Sequence, residues 1–355
     1  MLGHIDFNNV RKSWDKFWCN ENERPTLSII LPKEGVEAMQ QPAYLEAFNG
    51  DYARVAQKVA KYVETHTFLG EAIPFHYLEL GADHFAALLG ADLELSASGD
   101  TSWAIHTLHE LTNADIKFDK SGVWWQKTVE YYKVLRNVLG DEVMIAAPSL
   151  SSGLDALVAL RGATNVLYDL LDNPNDVHDI LSQINIAYAQ ILNACAELFE
   201  YKKYGSINRH GMYSTGLMGI HQCDFSCMLS PFMFEEFVVP ILEYEMSLHD
   251  AVEYHLDGPG ALQHLNRLSQ IKKLDIIQWV PGAGDPEKMD WTHLYSKIVS
   301  LGKGLILGVR ADDLITKCEL FPTKKVFYKI YGIDTQAQAQ KLIEQVERFY
   351  DKNRS

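Results

Sequence analysis

The sequence predicts an α/β fold built as a single (β/α)8 TIM barrel, on three observations. Short β-rich runs alternate eight times with longer helical patterns; eight such units closed into a ring are the leading arrangement, with a doubly wound open sheet as the alternative. The 355 residues lie in the range that one large barrel occupies. No Ser/Gly/Pro tract, low-complexity segment or fixed-period repeat divides them, so residues 1–355 read as one domain.

The strands are expected over residues 26–31, 73–80, 144–149, 206–214, 252–257, 275–281, 304–310 and 326–332, most of them bounded by Gly, Pro or Asp. Among the helices, Asn173-Pro174 supplies an N-cap followed by proline at the first helical position, and apolar residues then recur at helical spacing from Val177 to Leu198. Ser230-Pro231 opens another helix, carrying Phe234, Phe237, Val238 and Ile241, with Pro240 expected to bend it. Residues 121–140 and 335–352 read as amphipathic helices. The interval 81–141 is long for one crossover and is expected to be an insertion between the second and third strands, placing an extra helix or hairpin over the barrel mouth.

Composition narrows the function. Forty-seven acidic against 32 basic side chains leave a formal charge of −15, which argues against a phosphate-backbone footprint and hence against nucleic acid. A substrate with many carboxylates is equally awkward unless the ten arginines converge on one site. No run approaches a membrane span and residues 1–18 carry no apolar signal core, so the chain is expected to be cytoplasmic. Five scattered cysteines argue for reduced thiols rather than a disulfide framework. Walker, G-x-S-x-G and H-E-x-x-H patterns are missing, and Gly282 with Gly284 makes no dinucleotide fingerprint.

In a barrel the chemistry sits at the C-terminal ends of the strands. His255-Leu256-Asp257-Gly258 is the sharpest candidate there, because residues two apart on a strand point the same way. The pair reads as a metal-binding or acid/base pair, or as a structural histidine oriented by its carboxylate. A catalytic zinc takes three protein ligands. Glu79 and Cys223 are candidates for the third, although Cys223 with Cys227 reads more readily as small buried hydrophobes. Asp224 reads as a site residue or a helix cap. Gln278 and Trp279, ahead of Pro281-Gly282-Ala283-Gly284, are expected to orient a polar group and wall a pocket. Arg209 and Arg310 read as an anion clamp or rim ion pairs, and Tyr213 as a proton donor.

Several motifs together carry a resemblance: Leu160-Arg161-Gly162 leading into Tyr168-Asp169-Leu170, Asp172-Asn173-Pro174 before a long helix, Asp224 with Ser230-Pro231 and the run from Phe234 to Pro240, and His255-x-Asp257-Gly258. In these, from about Gly70 onwards, the chain resembles the uroporphyrinogen decarboxylase superfamily, which includes zinc-dependent, corrinoid-linked methyltransferases. The resemblance implies a (β/α)8 barrel, often a homodimer, with the site at the strand C-termini. The decarboxylases of this superfamily carry an arginine-rich loop after the first strand; here that place reads Pro32-Lys33-Glu34-Gly35. The methyltransferases bind zinc through H-x-C and a distant C-terminal Cys; here His255 matches, Asp257 stands for the first Cys, and the stretch from Tyr328 to Asp334 has none. A carboxylate in place of thiolate makes a bound ion a harder Lewis acid.

The leading expectation is therefore a corrinoid-linked or related methyltransferase, with His255, Asp257 and Tyr213 catalytic, and His255, Asp257 and Cys223 as zinc ligands. Glu79, Arg209, Asp224, Gln278, Trp279 and Arg310 are expected to line the substrate pocket, with a corrinoid protein as partner. The alternatives are decarboxylation of uroporphyrinogen or a smaller tetrapyrrole acid, which needs no cofactor, and a non-catalytic corrinoid- or tetrapyrrole-binding barrel.

Overall fold

Alternating β-rich and helical segments build a mixed α/β molecule around a mostly parallel sheet. The computed structural model describes residues 5–282 and 284–352; residues 1–4 of the opening segment and Ala283 of the Pro281–Gly284 turn lie outside them. Among the described residues the strands are β1 (Thr26–Pro32), β2 (His66–Gly70), β3 (Phe75–Tyr77), β4 (Leu93–Leu95), β5 (Ser102–Ala104), β6 (Met144–Ala146), β7 (Ser206–Ile207), β8 (Tyr213–Ser214), β9 (Met218–Gln222), β10 (Ala251–Asp257), β11 (Ile276–Val280), β12 (Gly304–Arg310) and β13 (Val326–Tyr331). Seven form the central sheet in the order β2-β1-β13-β12-β11-β10-β9. Every pair in it is parallel except β1 with β2. Five of the eight expected strands, the first and the last four, lie in this sheet.

The closed ring of a (β/α)8 barrel is not formed. β2 and β9 are the free edges, and β3 pairs with β6 in a separate parallel ladder from Phe75↔Met144 to Tyr77↔Ala146. The local reason lies in the expected fourth strand. Residues 206–214 turn back on themselves, with Asn208 N bonded to Met212 O at 3.0 Å and Gly211 at φ 85°, a conformation only glycine adopts cheaply. β7 and β8 become an antiparallel pair, and β9 takes the place beside β10. At this edge Met218 N donates to Ser206 Oγ (2.8 Å), which donates to Gly216 O (2.6 Å), so a side chain satisfies backbone groups that a neighbouring strand would otherwise pair.

Two apolar cores follow from the strand alternation. Leu305, Leu307 and Val309 of β12, Tyr328 and Ile330 of β13, and Tyr254 and Leu256 of β10 pack outwards against the helices. The alternate residues Ile276, Ile306 and Phe327 point to the inner face, where they join Phe7, Val10, Trp14 and Phe17 of the helix Phe7–Trp18. Spacings of three and four put those four on one helix face, and Trp14 meets Phe327 at 5.1 Å between rings. This helix fills the inner face near the strand N-termini and leaves the C-terminal ends for polar groups.

The insertion between the expected second and third strands holds the helix His84–Leu88, the antiparallel pair β4/β5 and the helix Val123–Leu139. Pro174–Leu198 starts at Asn173 with Pro174 at its first position. Ser230 Oγ accepts from Met233 N at 3.2 Å and opens the helix at Pro231. The bend expected at Pro240 coincides with a π-helical stretch, Phe234–Val238, immediately before it; proline lacks the N–H that would continue the α ladder. Among the described residues no helix is long and apolar enough to cross a membrane.

Candidate metal centre

Three side chains converge at the C-terminal ends of β9 and β10. His255 and Asp257 lie two apart on β10 and share its inner face. Asp224 opens the 3-10 turn that follows β9, a turn whose first two amides, Asp224 N (2.9 Å) and Phe225 N (3.0 Å), donate to the carboxylate of Asp155. One ligand atom from each of Asp224, His255 and Asp257 lies within 4.8 Å of the others, the one such group of three or more among the described residues.

The neighbours of this cluster fix its protonation. His255 sits in register with Gln222 on one side and Gln278 on the other. Its Nδ1 contacts Gln278 Oε1, an atom that only accepts, so the proton lies on Nδ1 and Nε2 keeps its lone pair. Burial, aided by nearby Arg209, lowers the imidazole pKa to about 4, which keeps the ring neutral. Burial and the charges of Asp155 and Asp257 push Asp224 up to about 8. Burial also raises Asp155 and Asp257. Crowded carboxylates of this kind are what an added cation relieves.

A chain of hydrogen bonds links the cluster to the separate β3/β6 pair. Gln222 Nε2 donates to Asp224 Oδ2 (3.0 Å) and Gln222 Oε1 accepts from Arg209 Nη2 (3.2 Å). Arg209 Nη1 reaches Ser149 Oγ (3.3 Å), which accepts from Tyr77 OH (2.9 Å). Glu79, buried, accepts from the Tyr44 and Tyr77 hydroxyls and from Ser149 N (3.1 Å). Burial raises the Glu79 pKa against these bonds. Beneath His255, Glu253 is fully buried and accepts from Asn208 Nδ2 (2.7 Å) and His210 Nδ1 (2.6 Å). Burial alone would raise this carboxyl, but His210 and Arg209 outweigh it and hold the pKa below its usual value.

The structure thus brings together Asp224, His255, Asp257, Gln278, Arg209 and Glu79, and places exposed Arg310 at the C-terminal end of β12. Three expected site residues are elsewhere. Cys223 is buried in the outer core and is not among the three side chains whose ligand atoms converge; the next residue, Asp224, stands in the cluster instead. Tyr213 belongs to the inner core near the strand N-termini, packed edge-on against Phe7 and donating to Tyr204 O at 2.9 Å. Trp279 alternates with Gln278 and so faces outwards, against Trp291 at 4.9 Å; its indole N–H is buried without a partner among the described residues.

Asp155, Gln222, Tyr77, Tyr44 and Lys329 escaped the sequence reading. Gln222 and Lys329 carry a readable signal, strand alternation, but only once β9 is recognised as a strand and the inner face of β13 as lined by polar groups. Tyr44 and Asp155 reach the site from a loop and a helix start, which no local pattern announces.

No family model and no curated protein sequence matches the chain. In fold it is similar to a methyltransferase from Methanosarcina mazei, with a TM-score of 0.60 and 12% sequence identity, over 96% of this chain and 99% of that one. At that identity the likeness is one of fold along nearly the whole of both chains.

Proposed function

We propose that this protein is a metal-assisted methyltransferase, corrinoid-linked or of a related kind, acting at the C-terminal ends of β9 to β12. The observation that carries the reading is the convergence of Asp224, His255 and Asp257 within 4.8 Å. Three protein ligands are the number that a catalytic divalent ion takes, its further position being left to water or substrate. The set of two carboxylates and one imidazole suits zinc, and with no thiolate it suits harder ions such as manganese or iron(II) as well. The fold likeness to a methyltransferase and the motif resemblance around His255 support the same class.

When bound, such an ion supplies Lewis acidity that holds the methyl acceptor's nucleophilic atom and favours its deprotonated form. The chain's own residues prepare the site for it. Gln278 fixes the tautomer and direction of His255, and Gln222, braced by Arg209, fixes Asp224. The methyl donor in this reading is a corrinoid carried by a partner protein, as the sequence resemblance implies. Decarboxylation of a tetrapyrrole acid has less support, because Arg209, the arginine beside the cluster among the described residues, is already bonded to Ser149 and Gln222.

Metal analysis of protein purified without chelator tests the reading. Wild-type protein is expected to carry one divalent ion per chain and the His255→Ala variant to lose it. A wild-type protein that takes up no divalent metal on addition of zinc, manganese or iron(II) sinks the metal assignment.

A further inference from the structure

The inner face of β13 and β12 carries charge of the opposite sign to the metal cluster. On β13 the outward residues Tyr328 and Ile330 are buried, while Lys329 and Tyr331 between and after them are exposed. On β12 the outward Leu307 and Val309 are buried, while Gly308 and Arg310 are exposed. Lys329 pairs in register with Gly308 and Tyr331 with Arg310, so the four make two successive levels on one face. A Cβ added at Gly308 would meet nothing nearer than the Tyr331 ring at 3.8 Å, so the space beside Lys329 is open.

Lys329 is set apart from the other partly enclosed lysines. Lys303 Nζ donates to Ile271 O (3.0 Å) and Leu274 O (2.7 Å), and Lys325 Nζ pairs with Asp275 Oδ1 at 2.9 Å. Lys329 makes no hydrogen bond or ion pair among the described residues. It keeps accessible surface, yet enough protein surrounds the ammonium that desolvation lowers its pKa. Glu253 is the nearby opposite charge, but its two oxygens are already engaged by Asn208 and His210. An ammonium held among protein atoms without a partner is costly, and an anion arriving from solvent removes that cost.

We propose that Lys329, with Arg310 one level nearer the rim, is an anion subsite that binds the carboxylate or phosphate of a small acidic substrate. Calling that substrate the methyl acceptor rests on the function proposed above; the subsite itself does not. Its anionic end lies on the β12/β13 wall, and its reacting end points toward Asp224, His255 and Asp257 on the β9/β10 wall. Gly308 keeps the space open between the strands that carry the two cations.

Calorimetric titration with acetate and with inorganic phosphate, at low ionic strength, tests the subsite, with metal content measured on the same samples. Wild type and His255→Ala are both expected to bind at least one of the two anions, which separates the subsite from the metal. Lys329→Gln is expected to bind about ten- to a hundredfold more weakly, the range of one charge-assisted hydrogen bond, with metal content unchanged. Lys329→Arg should retain binding, and Gly308→Val should block it while leaving the charge in place. The stronger of the two anions identifies the headgroup. Equal binding by wild type, Lys329→Gln and Gly308→Val overturns the proposal, as does failure of wild type to bind either anion. Wild type without metal but with Lys329-dependent anion binding overturns the metal assignment and leaves the subsite standing.

Discussion

Replacing Gln278 by Leu removes the acceptor that His255 Nδ1 uses while keeping a side chain of similar size on β11. The imidazole is largely enclosed and neutral, with its pKa lowered to about 4 by burial, so the N–H has no ready replacement partner. Leaving such a donor unpaired costs about 1–3 kcal/mol. Loss of an outer partner of a metal-bound histidine typically weakens metal affinity about 10–100-fold, equal to about 1.4–2.8 kcal/mol, and the two figures agree. Competition for zinc against a chelating indicator dye measures the change, with circular dichroism confirming that the variant is folded. Gln278→Glu keeps an acceptor and adds charge, so it should bind zinc at least as tightly as wild type. A folded Gln278→Leu variant with wild-type zinc affinity refutes the claim that this contact aims His255 at the metal.

Glu245 offers a prediction about stability. Burial raises its pKa to about 8, while His221, in contact at 3.3 Å, is lowered by burial to about 3 and His249 to about 3, so the pair is neutral rather than ionic near neutral pH. Folded Glu245 keeps a proton that the unfolded chain releases above its usual value of 4.5, so this residue's own contribution to stability falls as pH rises from 4.5 to about 8 and levels off beyond. Glu245→Gln removes this contribution, and urea unfolding of both proteins across that window should show the variant gaining on wild type as pH rises; parallel curves would exclude it. Trp279→Phe removes a buried indole donor that has no partner among the described residues, so stability should change by less than about 1 kcal/mol and metal content not at all. Tyr213→Phe removes the bond to Tyr204 O and should cost about 1 kcal/mol in thermal or urea unfolding, again with metal content unchanged. Loss of metal in either variant contradicts the placement of these two residues away from the cluster.

Much of the framework was legible because it rests on local periodicity. The expected segments 252–257, 304–310 and 326–332 coincide closely with β10, β12 and β13, each with apolar residues where the outer core needs them. The same alternation correctly puts His255 and Asp257 on one side of β10. The same rule separates Trp279 from Gln278, since neighbours on a strand face opposite ways; the expectation that both line a pocket rests on their place ahead of Pro281-Gly282-Ala283-Gly284, and the alternation of β11 overrides it. The segment 206–214 misled for a different reason: its residues suit a strand, but Asn208 and Gly211 make a turn, so Arg209 and Tyr213 ended far apart in role, one at the polar end and one in the inner core. Cys223 is a candidate ligand by residue type, whereas the backbone turn held by Asp155 presents the next residue, Asp224, to the cluster.

The sequence by itself determined the α/β class, the order of most central strands, and the His255/Asp257 pair, because each depends on spacing along one element. Only the tertiary structure decided that the hydrogen-bonded sheet stays open, that Asp224 is the third member of the cluster, and that Lys329 stands across the inner face without a partner among the described residues. Those facts depend on which segments meet in space and on whether a charged group finds a partner there, and neither is encoded in the spacing of any single segment.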